Sequence, residues 1–292
     1  MVKVQIDSHH VIGQTHISTC NPCQDYTHHE TVDMGAGKQF VVAALSDGCS
    51  GSFGVPELGA TLMCVMACRE VKNAFILGKE LSYIFSQEFW RNFIQDLKMS
   101  RLVASDDLDA TLLVVATDGE ELYYIQIGDG AVYGEYAKEY LLYNIEFKGN
   151  APSYPSYLAD VYRGELYQDS KPHLLKTINR VDLERGPVYT QTEKEEVDLG
   201  KNIFSNSYRL DLSNNRILSF SLFSDGITQM RKIDSTSGLE TDVTTLDAVR
   251  LMQPNSGQGR FVGRRVLKVQ RGGLYKFMDD YSQITLRFTY ED

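Results

Sequence analysis

Apolar and polar positions alternate at the start of the chain, with Val2, Val4 and Ile6 on one side, and predict an opening strand. The run Phe40, Val41, Val42, Ala43, Ala44 and Leu45 predicts a buried strand closed by Ser46-Asp47-Gly48. A loop rich in glycine and serine, CSGSFG, leads into a helix, with Pro56 suited to its first turn and Gly78 to its C-terminal end. Between them Leu58, Leu62, Val65, Met66, Val71 and Phe75 recur at helical spacing. A second helix is predicted over Leu81 to Met99, with Phe85, Phe89, Phe93 and Leu97 on one face.

Strand patterns then return. Ala110 to Thr117 is an apolar, β-branched run, Asp118-Gly119 a turn, and Leu122 to Ile127 its hairpin partner. Gly128-Asp129-Gly130 turns the chain into Ala131 to Tyr136. From about 143 to 216 the sequence is polar, rich in Tyr and Pro, and fits neither period well. Ile217 to Phe223 reads as a buried strand closed by a second Ser-Asp-Gly, helical segments follow near 244–252 and 260–270, and Gln283 to Tyr290 is a last strand. Strands flanking a central helical pair, with few strand–helix–strand alternations, predict an α+β layered fold of antiparallel sheets covered by helices. No solenoid repeat and no linker divides the chain, so 1–292 is expected to form a single domain.

Composition narrows the function. With 42% hydrophobic and 23% charged residues the chain has the make-up of a globular protein. Its net charge of -10 disfavours nucleic acid and anionic lipid as partners. No apolar run approaches the roughly 20 residues that span a bilayer. The N-terminal MVKVQIDSHHVIG lacks the apolar core of a signal peptide, and a cytoplasmic location is expected. Five cysteines, an odd number, do not suggest a disulfide framework. Cys20 and Cys23 form a C-x-x-C pair flanked by His16 and His28, but a structural zinc site would normally show a second pair. Cys64 and Cys68, four apart on a helix, read as small packed hydrophobes.

The candidate chemistry lies in a repeated strand ending. AALSDG and SLFSDG are far apart yet finish alike, at Asp47 and Asp225. One such ending is most simply an Asx turn. Two of them, joined by Gln24-Asp25 early and Asp279-Asp280 just before the last strand, suggest aspartates converging at one end of a layered sheet. Such a cluster is all oxygen, which suits Mg²⁺ or Mn²⁺, and a cation offsets the repulsion of gathering the charges.

Taken in order, GQTHISTCNPCQD, VVAALSDGCSGSFGVPELGA, DATLLVVATDGEELYYIQIGDGAVY, LFSDGI and DDYSQITL resemble the metal-dependent protein phosphatase family, the type 2C serine/threonine phosphatases. The early GxxH…CQD string and GNAPSYPSYLAD at 149–160 are similar to a bacterial branch. The resemblance implies two stacked antiparallel β-sheets with helices on both outer faces, and a variable flap at about 143–216. It implies two Mn²⁺ or Mg²⁺ ions and a third bound weakly. Asp47 would bridge two metals beside the Gly48 carbonyl, Asp25 would hold metal-bound water, and Asp225 and Asp279 would serve the second metal. Asp106, in DDLDAT, would be the looser third site, whereas Asp129 in IGDG would be architectural. Water activated between the metals would attack phosphorus directly, with no phosphoenzyme; HC-x5-R and G-x-S-x-G are absent. The implied substrates are phosphoserine and phosphothreonine proteins, with a cognate kinase as a further partner.

Two positions depart from the family pattern. Cys20 stands where an arginine often grips substrate phosphate, leaving His16 as the candidate for that role. Cys49 stands where a histidine sometimes acts as general acid, so leaving-group protonation would fall to metal-bound water. These departures keep a catalytically weak pseudophosphatase, acting as a binding or regulatory module, as the alternative. A domain whose Asp-Gly pairs are only turns would leave the ordered spacing to coincidence.

Overall fold

The computed structural model describes residues 2–49, 54–100, 102–170, 172–184, 190–200, 202–254 and 259–291; most of the CSGSFG loop, 50–53, lies outside them. The chain runs β1 (Val2–Val11), α1 (Gln14–Thr19), β2 (Asp25–Gly35), β3 (Lys38–Asp47), α2 (Pro56–Ile76), α3 (Leu81–Ile84) and α4 (Gln87–Met99). After a 3₁₀ turn at Ser105–Leu108 come β4 (Leu112–Thr117), β5 (Glu121–Ile127), β6 (Gly130–Tyr136) and β7 (Glu139–Phe147). Next are α5 (Ser156–Ala159), α6 (Val161–Asp169), β8 (His173–Asp182), β9 (Thr190–Asp198), β10 (Asn206–Asp211) and β11 (Ile217–Phe223). A second 3₁₀ turn, Asp225–Gln229, precedes β12 (Met230–Ile233), β13 (Glu240–Asp242), α7 (Thr245–Met252), α8 (Phe261–Arg271), β14 (Tyr275–Phe277) and β15 (Tyr281–Tyr290).

Two antiparallel sheets carry the architecture. One runs β1-β15-β11-β6-β7-β8-β9 and the other β10-β5-β4-β3-β2. Side-chain alternation makes each strand serve two cores. On β3, Val41, Ala43 and Leu45 face the other sheet, while Phe40, Val42 and Ala44 pack on helices; on β4, Leu113 and Val115 face inward and Leu112, Val114 and Ala116 outward. The inner core adds Phe220 and Leu222 of β11 and Ile284 and Leu286 of β15. α2 and α4 cover one outer face and α7 and α8 the other. This is the predicted α+β sandwich, helices outside and sheets within.

Its helices differ in detail from the sequence expectation. Leu58 is exposed on α2, and the buried face is Ala60, Met63, Cys64, Ala67, Cys68 and Val71. Four of those six residues are small, so the helix lies close against the sheet, while Leu62, Met66 and Phe75 of the predicted stripe are half-buried against the same core. The predicted helix over 81–99 is broken at Phe85-Ser86. Ser86 adopts extended backbone and its Oγ accepts the Phe89 N–H, capping α4. Ser86→Ala should lower stability by about 1 kcal/mol in urea unfolding, with no effect on the acidic centre.

The 143–216 segment forms the end of β7, α5, α6 and strands β8 to β10. Tyr157 on α5, Tyr162 and Tyr167 on α6, and Tyr154 just before α5 cluster in its helical part: Tyr157 stacks on Tyr167 with ring centroids 4.4 Å apart, and Tyr154 lies 5.9 Å from Tyr157. Among the described residues no helix is long and apolar enough to cross a membrane.

Candidate metal centre

Antiparallel pairing explains how aspartates distant in sequence meet. The end of one strand lies beside the start of its partner, so a terminal Asp on each meets the other. Asp47 ends β3 and pairs in register with Asp25, which starts β2. Asp225 lies two residues past the end of β11, and Asp279 two residues before β15, the partner of β11. Facing sheets place both pairs at one end of the sandwich.

The carboxyl of Asp47 is the middle member, within hydrogen-bonding reach of Asp25 on one side and Asp225 on the other. Burial, then the charges of Asp25 and Asp225, push Asp47 well above the usual carboxylate range. Burial pushes Asp25 up to about 7, opposed by neighbouring hydroxyls of Ser224 and Ser282 and by Asp47. Asp225 is raised chiefly by burial, with Asp279 adding to it. Three carboxylates in this position cannot all ionise without an added positive charge.

A divalent cation fits that requirement. Asp25 is 2% exposed, and neither of its carboxylate oxygens meets a donor in hydrogen-bond geometry. A buried carboxylate with no well-aligned donor, only the nearby hydroxyls of Ser224 and Ser282 and another carboxyl, is costly unless a cation satisfies it. The neighbouring groups are oxygen donors, as Mn²⁺ and Mg²⁺ prefer. Asp47 and Asp225 are only partly buried, so the centre is reachable from solvent.

Asp279 is the open member, its side chain 39% exposed, with Gln229 Nε2 donating to its Oδ2 at 2.9 Å. Asp280 beside it is buried and acts as a clamp. Its Oδ1 accepts the Gly13 N–H at 2.7 Å and its Oδ2 the Gln24 N–H at 2.6 Å. One carboxylate thus joins the start of β15 to the segment entering β2, holding the two acidic strand ends together. His16, expected from sequence to meet substrate phosphate, is buried; its Nδ1 lies 2.8 Å from Asp280 Oδ2 and its Nε2 4.0 Å from Asp279 Oδ1. His16, Asp279 and Asp280 each offer a ligand atom within 4.8 Å of the others, but the oxygens of Asp280 already serve two backbone amides. Asp280→Ala would orphan both buried N–H groups and should cost roughly 2–4 kcal/mol in denaturant melts. It should also weaken Mn²⁺ binding roughly 10–100-fold by calorimetry.

Close backbone approach fixes the same region. A Cβ at Gly13 would lie 2.1 Å from the Asp279 carbonyl carbon, and one at Gly226 would lie 1.9 Å from the Asp280 carbonyl oxygen. Asp47 is held from the other side: its N–H donates to Thr111 Oγ1 at 3.0 Å and its carbonyl accepts the Thr111 N–H at 2.8 Å. Gly48 forms a bridge with Ala110.

Asp129, expected from its motif to be architectural, belongs to the same electrostatic cluster. Burial and then the charge of Asp225 push it up to about 7. Its position in the Gly128-Asp129-Gly130 turn between two buried strands was the available signal. Asp106 sits apart, 45% exposed, with Arg163 Nη1 2.9 Å from its Oδ1.

Carboxylates gathered at one end of a helix-covered sheet sandwich define a centre for hard divalent cations. Residues 12–252 match the family model of protein phosphatase 2C, and the chain belongs to that family. It is a metal-dependent protein serine/threonine phosphatase, a hydrolase that uses Mn²⁺ or Mg²⁺ and acts on phosphoserine and phosphothreonine proteins. Comparison with curated protein sequences finds no match. Among solved structures, the phosphatase domain of SpoIIE from Bacillus subtilis with a fragment of its regulatory domain is 12% identical, with a TM-score of 0.49, over 100% of this chain and 65% of that one. The catalytic domain of PstP, in complex with two manganese ions, is 13% identical over 99% and 100% of the two chains, with a TM-score of 0.44. Stp1 from Staphylococcus aureus is 11% identical over 99% and 96%, with a TM-score of 0.43. The family assignment rests on the sequence match.

Proposed function

We propose that Asp25, Asp47, the Gly48 carbonyl, Asp225 and Asp279 hold two divalent cations, and that this pair is where phosphoserine and phosphothreonine are hydrolysed. The buried carboxylate of Asp25, without a well-aligned donor and beside Asp47, carries the reading. Bound there, the cations supply an activated water and neutralise phosphoryl charge. The protein's own residues do the positioning. Asp47 stands between Asp25 and Asp225, fixed at both its N–H and its carbonyl by Thr111. Asp280 locks the segment carrying Asp25 to the one carrying Asp279. The ring of His16, lying between Asp279 and Asp280, orients the Asp279 carboxylate; a grip on substrate phosphate would need that ring to turn away from both. The third, weaker cation position expected at Asp106 would compete with Arg163 for that carboxylate, and Asp129, in the field of Asp225, is a second acidic group to test for it.

The whole chain is read as one domain whose 143–216 segment is the flap beside the centre. Its working partners would be cytoplasmic phosphoproteins and the kinase that phosphorylates them. Hydrolysis of p-nitrophenyl phosphate and of a phosphothreonine peptide, each with Mn²⁺ and with EDTA, tests the reading. Turnover of both that EDTA abolishes is expected. Tight Mn²⁺ binding without turnover would overturn it.

A further inference from the structure

The two sheets differ in width, seven strands against five, and β10 is one edge of the narrower. The inner face of the wider sheet continues past that edge through β7 and β8. A cleft opens there, where the apolar Val132 of β6 and Leu141 of β7 give way to Tyr143 of β7 and Lys176 of β8. Tyr124 and Phe220, both buried, make its floor, their ring centroids 5.7 Å apart in an edge-to-face pair. The Tyr124 hydroxyl donates to Gln126 Oε1, which holds that floor in place.

Two observations point to a ligand. Gly134 of β6 lines the cleft, and a Cβ there would come no nearer than 3.4 Å to any neighbour. Neither crowding nor a left-handed backbone requires glycine at this position, and the missing side chain leaves the space open. Across the cleft, the half-buried ammonium of Lys176 donates to Asn206 Oδ1 at 3.4 Å and lies 5.1 Å from the Tyr143 ring centroid. Among the described residues it has no carboxylate partner, and no acidic residue lines the cleft. In a chain of net charge -10, such an ammonium beside aromatic walls favours an anion. Tyr136 and Tyr208 add hydroxyls 3.2 Å apart; one O–H serves the other oxygen, and the second is free to donate.

We propose that this cleft binds a small aromatic carboxylate, at a site separate from the aspartate cluster. The ring lies on Tyr124 and Phe220 beside Tyr143, and the carboxylate accepts from Lys176 Nζ and from the free tyrosine O–H. Mostly apolar walls with a few convergent polar groups are what small-molecule sites offer. The room, ≈ 80 Å³, suits a single ring. A carboxylate without a ring would miss the apolar contacts, and a neutral ring would miss the ammonium. The site stands whether or not the aspartate cluster is a phosphatase centre.

Fluorine NMR on the full chain with Mg²⁺ tests this, with 4-fluorobenzoate as probe and 4-fluorobenzyl alcohol and trifluoroacetate as controls. The probe should bind saturably with a Kd of about 1 mM or tighter, and each control about tenfold more weakly or worse. Lys176→Met should weaken the probe about tenfold, the scale of one charge-assisted hydrogen bond. Gly134→Val fills the cleft and should abolish binding. Should that variant not fold, Lys176→Met, at a half-exposed position, decides. Repeating the titration in EDTA locates the site, because the metal-free aspartates repel an anion. Binding that EDTA removes belongs to the aspartate centre and overturns the proposal. Equal affinity in Lys176→Met and wild type, or no saturation by about 10 mM, does the same.

Discussion

Replacing Asp47 with Asn will remove turnover and, in the same protein, raise the melting temperature of the metal-free form. The two effects share one cause. Asp47 lies between Asp25 and Asp225, and burial together with those neighbours disfavours its charge. With cations bound that charge is required, as a ligand and as the partner of Asp25. Losing it should cut kcat by about a thousandfold or more, the scale expected when electrostatic stabilisation of the transition state is lost. Without cations the charge is a burden, and an isosteric amide removes repulsion while leaving the shape unchanged. Asp225→Asn should follow the same pattern, its carboxyl being raised by burial and by Asp279. Thermal melts in EDTA beside p-nitrophenyl phosphate assays in Mn²⁺ read both effects. A variant that loses activity because its fold is damaged would melt lower, not higher, and persistence of full turnover in Asp47→Asn would place the chemistry elsewhere.

The metal-free protein should lose stability as pH rises through neutrality, and Mn²⁺ should reverse that trend. Asp25 and Asp129 each have a folded-state pKa pushed up to about 7, from an ordinary value of 3.8. A group that binds its proton more tightly when folded contributes stability at low pH. That contribution is present in full below the unfolded pKa and disappears as pH climbs through the folded one. The window therefore runs from about pH 4 to about pH 7. Asp25 alone contributes on the order of 4 kcal/mol across it, because each tenfold gain in proton affinity is about 1.4 kcal/mol. Cations bind the ionised carboxylates, so their stabilisation grows over the same window. The melting-temperature gap between Mn²⁺ and EDTA samples should widen by several degrees from pH 5 to pH 8. A gap that stays flat, or an EDTA sample that becomes steadily more stable from pH 5 to 8, would show that these carboxyls are not the coupled, cation-requiring set.

Much of the centre could be read before any fold was known, and for a topological reason. Apolar runs that end in Ser-Asp-Gly mark strand ends, and an Asp just before a later apolar run marks a strand start; antiparallel pairing then puts them together. Asp225 with Asp279 followed from that logic; Asp25 was singled out only by the early Gln24-Asp25 pair and the family resemblance, and its pairing with Asp47 came from the fold. Where the pattern was weak, the elements were missed. β2 is an edge strand carrying Thr27, His28, His29, Glu30 and Thr31, too polar to stand out by alternation. The six residues of α1 are too few to establish a helical period.

Local periodicity and the repeated strand endings were therefore enough for the layered class and for most of the aspartates that meet, whereas the order of strands within each sheet came from the fold. How those groups behave depended on packing. Asp280 was adjacent to a named residue, yet its role as a clamp depends on amides of Gly13 and Gln24, more than 250 positions away. His16 lies against carboxylates, its Nδ1 2.8 Å from Asp280 Oδ2, which only the packing of α1 on the start of β15 decides. Arg163 meets Asp109 across 54 positions. Burial, and the pKa shifts it causes, belong to the packed molecule: a side chain's dielectric surroundings and partners come from every element folded against it, and no window of sequence contains them.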